Sequence, residues 1–406
     1  MEPPDTAELA GLVAAEVDRM VDVRRDLHRH PELGFDETRT TERIAEVATA
    51  IGLDPLPCPT PTGSVWSLQG GRPGTTVLLR ADIDALPIEE TAEVGFASEV
   101  AGSMHACGHD AHTAQLLGAA SALARRADEL PGRYVFVFQP AEEGGGGARA
   151  MVDGGVLDGL GATAVLGCHV VSVLPTGLVG VHAGIAMSDA RALQVDVHGI
   201  GGHGAAYQDG ANPLTAAAQL ALRMDGVVEG LSLEGTGCAC TVGVLRAGTA
   251  ANVIPSHATL SGTLRTFTPA QADTALARLE SLLADLGDET GCTFELSVPG
   301  RTPAVRNDAG VTGVVRAAAA EAVGPGAVVD LPPVSPSDDV SEFLDRLPGT
   351  YFFVGAARAD GTSGMHHNPG FAIDEGCLPV AATVLAASAV RVAGDRASRG
   401  RPPITR

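Results

Sequence analysis

The chain has 406 residues, of which 45% are hydrophobic and only 3% aromatic, so we expect two or three domains with cores built mainly from alanine, valine and leucine. A formal net charge of −22 disfavours nucleic acid and anionic membranes as partners. The sequence contains no lysine, which excludes a Schiff-base lysine and a P-loop lysine.

The first part of the chain is predicted to combine helices with short buried strands. Apolar residues at helical spacing predict a helix between Leu9 and Leu27, and a second helix over residues 37–51 is followed by Gly52. A further helix is predicted over residues 111–127. Apolar runs predict strands at Val65–Leu68, Thr76–Ala81, Tyr134–Gln139 and Ala162–Cys168. The last two runs are almost entirely apolar, which indicates a sheet covered on both faces.

The pattern changes near Ala186. Between residues 191 and 298 the predicted order is strand, helix, two strands, helix and strand, which is typical of a split βαβ unit. We therefore predict an α/β domain formed by residues 1–186 and 301–406, with helices on both faces of its sheet. An α+β domain of the ferredoxin-like kind is inserted over residues 187–300.

Cysteine usage and the N-terminus indicate a reducing compartment. Seven scattered cysteines argue against a disulfide framework. The first residues lack the basic and apolar regions of a signal peptide, and no uninterrupted apolar run reaches about 18 residues. We expect a soluble, cytoplasmic protein.

Polar side chains follow three of the predicted strands. These side chains are Asp82 and Asp84, Glu142 and Glu143, and His169. Ligand sites in open α/β sheets lie at the carboxyl ends of the strands. The sequence therefore predicts one metal-binding edge.

Two histidine-rich segments add further ligand candidates. In His105-Ala-Cys-Gly-His-Asp-Ala-His112, Cys107 and His109 can both reach one metal, because Gly108 allows a tight backbone. Thiolate and imidazole suit a borderline divalent ion. The segment 365–369 contains His366 and His367, but by itself it is a weak signal.

The adjacent acids Glu142 and Glu143 need two different roles. Metal hydrolases use one carboxylate as a metal ligand and another to take a proton from the attacking water. An exposed acidic turn is the alternative for a glutamate pair, but here the pair follows a buried strand. That position favours the functional interpretation.

Taken together, these motifs resemble the amidohydrolase family of hippurate hydrolase and indole-acetyl-amino-acid hydrolase, which is related to the aminoacylase and carboxypeptidase-G type metallopeptidases. The resemblance spans nearly the whole chain, with its motifs in order. The matching segments are RRDLHRHPELGFDETRTTERI (24–44), RADIDALPIEE (80–90), HACGHDAHT (105–113), FQPAEEGGGGA (138–148), GCHV (167–170), GGHGAA (201–206) and HHNPGF (366–371).

This resemblance implies a zinc-peptidase-like catalytic domain that hydrolyses the amide bond of N-acyl amino acids with two divalent ions, either Zn, Mn, Co or Ni. Glu142 is implied as the general base, and Asp84 as the acid that orients a ligand histidine. The inserted domain is implied to be a lid and dimerisation domain, so we expect a homodimer. The implied metal ligands are Cys107 (as the bridge), His109, Glu143, His169 and His367.

The inserted domain is also implied to contact the substrate. His203 matches a histidine that helps to hold the oxyanion, and Asn252 and Arg265 match positions that bind the substrate carboxylate. The chain departs from the family pattern near this loop, which leaves the substrate preference open. The departures are Tyr207, Gln208 and Asn212.

Three other interpretations stay open. Residues 199–204 match the dinucleotide fingerprint, although a lone match is weak. A metal-binding protein without catalysis would lack a catalytic acid, whereas Glu142 is present. Related exopeptidases usually have His-x-Asp where this chain has Asp82-Ile83-Asp84, which favours N-acyl amino acids over free peptides.

Overall fold

The computed structural model describes residues 3–205 and 211–395, which form two compact units. Of the described residues, the first unit takes in 3–184, 306–331 and 339–395, and the second takes in 185–205, 211–305 and 332–338. The predicted insertion over 187–300 lies within the second unit. Residues 332–338, expected in the first domain, instead pack with the second unit, where Ser188 donates its N–H to the Val334 carbonyl oxygen at 3.2 Å.

Helices and strands alternate along the described chain. The α-helices are α1 (Thr6–Ala14), α2 (Val17–Arg29), α3 (Thr38–Ile51), α4 (His109–Ala124), α5 (Gly147–Asp153), α6 (Pro213–Arg223), α7 (Pro269–Thr290), α8 (Ala309–Val323), α9 (Ser341–Leu344) and α10 (Cys377–Gly394). The strands are β1 (Asp54–Leu56), β2 (Ser64–Gln69), β3 (Arg72–Asp82), β4 (Pro131–Gln139), β5 (Ala162–Pro175), β6 (Val179–Gly180), β7 (Gly184–Met187), β8 (Asp189–His198), β9 (Gly202–His203), β10 (Ser232–Leu233), β11 (Thr236–Gly237), β12 (Ala239–Ala247), β13 (Val253–Ile254), β14 (His257–Thr266), β15 (Thr293–Thr302), β16 (Val305–Asn307), β17 (Val328–Val329) and β18 (Gly349–Ala357).

The first unit is built on a mixed sheet with the strand order β1-β2-β4-β3-β5-β18-β6-β17. Strands β4, β3, β5 and β18 run parallel to their neighbours in this series, whereas β2 is antiparallel to β4 and β6 is antiparallel to β18. Every residue from Tyr134 to Gln139 is buried, as is every residue from Gly349 to Ala356. A strand can be buried along its whole length only when both faces of its sheet are covered. The predicted α/β class with a doubly covered mixed sheet is confirmed.

The N-terminal helical segment is broken, which the apolar spacing did not predict. Helix α1 ends before Ala15 and α2 begins at Val17, and both helices keep their apolar side chains against the same core. The buried Glu16 between them forms ion pairs with Arg19 and Arg125. Apolar periodicity continues across this break, so it does not reveal it.

Strand β5 is longer than predicted, and this difference matters for the site. The apolar run ends at Cys168, but the strand continues through His169 to Pro175. Its partner β18 pairs with it as far as Ala357↔Pro175, whereas its other partner, β3, stops pairing at Arg80↔Gly167. One edge of β5 therefore continues beyond the end of β3.

Among the described residues, helix α10 is long and apolar enough to cross a membrane, but 78% of it is buried inside the protein. It packs on α4, α8 and the large sheet, which is the environment of a core helix. All seven cysteines are free thiols.

The second unit contains a four-stranded antiparallel sheet in the order β12-β14-β8-β15. The chain order β8-α6-β12-β14-α7-β15 is that of a split βαβ unit. Helix α7 begins at Pro269 after a capping box between Thr268 and Gln271, so its start is defined by local sequence. Apolar side chains of α6 and α7 pack with those of the sheet in a separate core.

Candidate metal centre

The loop that precedes α4 brings two ligand candidates into the interior of the first unit. Gly108 has φ +95°, and a Cβ at this position would lie 2.5 Å from Cγ2 of Val170. Only glycine fits this backbone and this close approach without strain. Cys107 and His109 flank the glycine, and both are buried.

The other candidates lie at one edge of the large sheet, as predicted for parallel strands. Asp82 is the last residue of β3, and β4 ends at Gln139, just before the two glutamates. Ala141 has φ +52°, so the chain turns sharply after Pro140. This turn brings both Glu142 and Glu143 next to His109, although neighbouring side chains on an extended strand point to opposite sides.

All five predicted ligands lie close to at least one other, and ligand atoms of Cys107, His109 and Glu143 lie within 4.8 Å of one another. Sγ of Cys107 lies 3.4 Å from Nε2 of His169. Oε1 of Glu143 lies 3.1 Å from Nε2 of His367 and 3.9 Å from Nε2 of His109. His367 has φ +60°, an uncommon value that turns this exposed residue's backbone toward the left-handed region. The structure thus brings together all five residues that the resemblance implies as ligands.

The donor set fits a divalent cation. His109 Nε2 and Glu143 Oε1 are both buried, and His109 Nε2 makes no hydrogen bond to the described residues, although a buried polar atom of this kind needs a partner. Bonds of about 2.0–2.2 Å from zinc to nitrogen and oxygen span their separation of 3.9 Å. Burial raises the pKa of the Cys107 thiol well above its usual value, so the thiolate needs a positive charge beside it.

Asp84 contacts two of the ligand candidates, His109 and Glu143. Its Oδ1 lies 3.2 Å from Nδ1 of His109, and its Oδ2 accepts the backbone N–H of Glu143 at 2.9 Å. Accepting the Nδ1 proton leaves Nε2 of His109 as the metal-binding nitrogen. The carboxylate therefore orients two of the ligand candidates at once.

Glu142 lies beside the ligand pairs. Its Oε2 is 4.0 Å from Nε2 of His109, and its Oε1 is 3.4 Å from the backbone nitrogen of Asp339. The Asp339 carboxylate in turn accepts hydrogen bonds from Arg80, from Gln139 and from the backbone of Ala148 at 2.8–3.0 Å. These contacts connect the loop that carries Glu142 to β3, β4 and the start of α5.

Three histidines near the ligand candidates had no predicted role. His112 lies between Asp82 and the backbone of Val170, and His366 lies between Cys107 and the backbone of Ser172. Burial lowers the pKa of His366 to about 4 and that of His169 well below its usual value, so both rings are neutral near pH 7. His105 is fully buried as well, and burial lowers its pKa to about 4. The sequence signal was their membership of the two histidine-rich segments.

A buried charged network joins α2 to the first turn of α4. Asp110 accepts hydrogen bonds from Arg24 at 2.9 Å and from Nδ1 of His28 at 2.8 Å, and Nε2 of His28 lies 3.1 Å from Glu90. Burial alone would lower the pKa of His28, but Asp110 and Glu90 raise it above its usual value overall. Arg24 also pairs with Glu375. Arg24 and His28 of this network belong to the first segment that matches the family, residues 24–44.

The predicted substrate-binding residues of the inserted domain lie in the second unit. His203 on β9 pairs with Val253 on β13, and Asn252 accepts the backbone N–H of Gly204 at 2.9 Å, so these two residues are neighbours. Arg265 lies on β14, where its guanidinium donates to the Ser335 carbonyl oxygen and to the Ser337 hydroxyl at 3.3 Å.

The residues that depart from the family pattern are only partly described. Asn212 is the N-cap of α6, and its side chain accepts the Leu214 N–H at 3.1 Å. Asparagine and aspartate cap helices equally well, so the change keeps the cap. Tyr207 and Gln208 lie outside the described residues. Within the described residues, the glycine-rich segment 199–204 contains strand β9, which pairs with β13, whereas the dinucleotide fingerprint opens an α-helix; this pairing counts against a dinucleotide site.

The mixed sheet and the cluster of thiol, imidazole and carboxylate groups at its carboxyl edge define a metal-binding hydrolase. Residues 78–391 match the model of peptidase family M20/M25/M40. The chain belongs to this family. The predicted family and the enzyme class, a metal-dependent amidohydrolase, are thereby confirmed.

Individual relatives support this assignment, because their sequences align with this chain over almost their full length. The chain is 34% identical to an N-acetylcysteine deacetylase of Bacillus subtilis (strain 168) over 92% of this chain and 97% of the relative. It is also 34% identical to a thermostable carboxypeptidase of Saccharolobus solfataricus, over 92% of this chain and 95% of the relative. The crystal structure of the Bacillus subtilis YXEP protein, a dinuclear metal binding peptidase from the M20 family, superimposes with a TM-score of 0.79 and 32% identity, covering 94% of this chain and 99% of that one.

Proposed function

We propose that this protein hydrolyses the amide bond of N-acyl amino acids to a carboxylic acid and an amino acid. The proposal includes two divalent metal ions and Glu142 as the general base. The observation that carries it is the division of the glutamate pair, because Glu143 meets two ligand histidines while Glu142 lies beside them. The deacetylase named among the relatives supports the substrate class. The proposed ligands are Cys107, His109, Glu143, His169 and His367.

The chain's own residues supply the proton transfers. When bound, the divalent ions supply positive charge that polarises the amide carbonyl group and lowers the pKa of water. Glu142 takes the proton of the attacking water and delivers it to the leaving amine. Its contact with the backbone nitrogen of Asp339 at 3.4 Å orients the carboxylate for both transfers. Asp84 keeps His109 in the tautomer that leaves Nε2 for the metal.

The substrate side of the proposal rests on the resemblance. It assigns His203 to the oxyanion and Asn252 and Arg265 to the carboxylate of the amino acid. An arginine guanidinium is charged at any physiological pH and matches a carboxylate with two hydrogen bonds. The proposal also includes a homodimer in the cytoplasm, and light scattering combined with size-exclusion chromatography tests the dimer.

Two neighbouring isosteric variants separate the proposed roles. Glu142→Gln should keep the wild-type metal content and lose about 10²–10⁴-fold in kcat, because only the base is removed. Glu143→Gln should instead lower the metal content, as should Cys107→Ala. Elemental analysis after dialysis and turnover of N-acetylcysteine measure both quantities. Near wild-type turnover by Glu142→Gln would contradict the base assignment, and full metal retention by Glu143→Gln would contradict the ligand assignment.

A second candidate function is carboxypeptidase activity, because one of the relatives has that name. Asp82 counts against it, since related exopeptidases usually have histidine there and this buried aspartate is already bound to Arg80 at 2.7 Å and to His112 at 2.6 Å. Comparing kcat/KM for N-acetyl and N-benzoyl amino acids with that for dipeptides decides between the two. Repeating the comparison with Zn, Mn, Co and Ni identifies the metal that supports turnover.

A further inference from the structure

Strand β5 has an edge that its neighbouring strand does not cover. Pairing with β3 ends at Gly167, but β5 continues to Pro175. Beyond that point the backbone N–H groups of Val170 and Ser172 donate to imidazole nitrogens. Val170 donates to Nε2 of His112 at 3.0 Å, and Ser172 donates to Nε2 of His366 at 3.2 Å. Two imidazole rings thus accept hydrogen bonds from backbone N–H groups that would otherwise need the carbonyl oxygens of a further strand.

These two contacts determine where each ring carries its proton. A backbone N–H can only donate, so Nε2 is the acceptor in both rings, and a neutral imidazole then has its proton on Nδ1. Nδ1 of His112 lies 2.6 Å from Oδ1 of Asp82. Nδ1 of His366 lies 3.8 Å from Sγ of Cys107. Both remaining contacts are therefore donations from Nδ1–H, one to a carboxylate and one to a sulfur.

The two rings also contact the ring of the ligand histidine, His169. The centroid of the His169 ring lies 4.5 Å from that of His112 and 5.2 Å from that of His366, and both contacts are edge-on. His169 bonds its own strand through Nδ1, which is 2.6 Å from the Val170 carbonyl oxygen. Its Nε2 is consequently the atom that faces Cys107 at 3.4 Å.

We propose that His112 and His366 are positioning residues that hold the end of β5 and are not metal ligands. His366 has a second role, because its Nδ1–H donates to the Cys107 sulfur and so reduces the negative charge that the thiolate offers to a metal. By distance alone both would qualify as ligands, since each belongs to a group of three whose ligand atoms lie within 4.8 Å of one another. The inference depends on the ligand roles proposed above for Cys107 and His169.

Variants of His366 test this assignment. In His366→Gln the amide oxygen can accept the Ser172 N–H and the amide nitrogen can donate to the sulfur, whereas His366→Phe can do neither. Removing a residue that supports a ligand typically costs 10–100-fold in metal affinity, so we expect about that loss in the Phe variant and a smaller one in the Gln variant. Ser172→Ala is the matched control, because the bond uses the backbone and the Ser172 hydroxyl makes no hydrogen bond to described residues.

The measurements are made on cobalt-loaded full-length protein and do not use turnover. We expect both variants to bind the wild-type number of cobalt ions, and the thiolate-to-cobalt absorption band to shift in His366→Phe and to return toward wild type in His366→Gln. Loss of one cobalt equivalent in the Gln variant would mean that His366 is a ligand and would overturn the proposal, even if the Phe variant failed to fold. An unshifted band with wild-type affinity in His366→Phe would overturn it too. If the wild-type protein bound no cobalt, the proposed function itself would fail.

Discussion

Replacing Asp84 by asparagine should weaken metal binding without changing the fold. Both partners of the Asp84 carboxylate are donors, namely Nδ1–H of His109 and the backbone N–H of Glu143. An asparagine side chain has the same shape but offers one acceptor oxygen and one NH₂ donor. One of the two contacts must then place a donor against a donor, so either His109 or the Glu143 loop loses its orientation.

The size of the effect follows from this geometry. Loss of a partner that orients a metal ligand typically costs 10–100-fold in affinity, which corresponds to about 1.4–2.7 kcal/mol. Because Asp84 supports two ligand candidates, we expect Asp84→Asn to fall at the upper end of that range. Burying an unsatisfied donor should also lower the free energy of unfolding of the metal-free protein by about 1–3 kcal/mol.

Competition with a chromophoric chelator at constant pH measures the affinity, and urea denaturation of the metal-free protein measures the stability. Asp196→Asn is a suitable control for the metal affinity, because it makes the same chemical change at a half-buried position of β8 whose hydrogen bonds go to Gln194, His257 and Thr259. It should leave the metal affinity unchanged. Wild-type metal affinity in Asp84→Asn would refute the argument that this carboxylate orients the ligands.

Two further predictions concern stability. Since the folded-state pKa of His28 exceeds that of the unfolded chain, about 6.5, its stabilisation is complete below that pH and is lost as the pH rises through the folded value. His28→Gln should therefore lower the free energy of unfolding by about 1.5–3 kcal/mol at pH 6 and by less at pH 9, and an equal loss at both values would contradict the assignment of charge. Gly147→Ala should destabilise the turn that carries the glutamate pair, because a Cβ there would overlap the Pro140 carbonyl oxygen. Gly313→Ala, on an open face of α8, should instead stabilise by about 0.5–1 kcal/mol, so thermal shifts of the same sign in the two variants would contradict the packing argument.

The edge of the sheet that carries the site was predictable because it depends on local patterns. Buried apolar runs followed by Asp82, Glu142 and His169 identified the edge of the sheet, and parallel pairing then brought these residues together. The proposed division of roles between Glu142 and Glu143 did not follow from the pattern. It depends on the turn at Ala141, whose positive φ no propensity of alanine predicts.

Other features depend on partners that are remote in sequence. The extension of β5 beyond Cys168 follows from pairing with β18, which lies far later in the chain. For the same reason the sequence did not distinguish His366 from its neighbour His367. The two differ only in their partners in the folded chain, because His366 accepts the backbone N–H of Ser172 on β5 whereas His367 faces Glu143.

The position of β18 has a consequence for biosynthesis. This central strand lies between β5 and β6, yet the ribosome makes it only after the whole segment 185–305. Until then the nascent chain exposes the edge of β5 that β18 later covers. An unpaired strand edge can pair with the wrong strand, and its correct partner here is remote in sequence. His367 is synthesised later still. A truncated translation product therefore lacks both the completed sheet and the last of the proposed ligands, so the whole proposed metal site can form only after His367 has been synthesised.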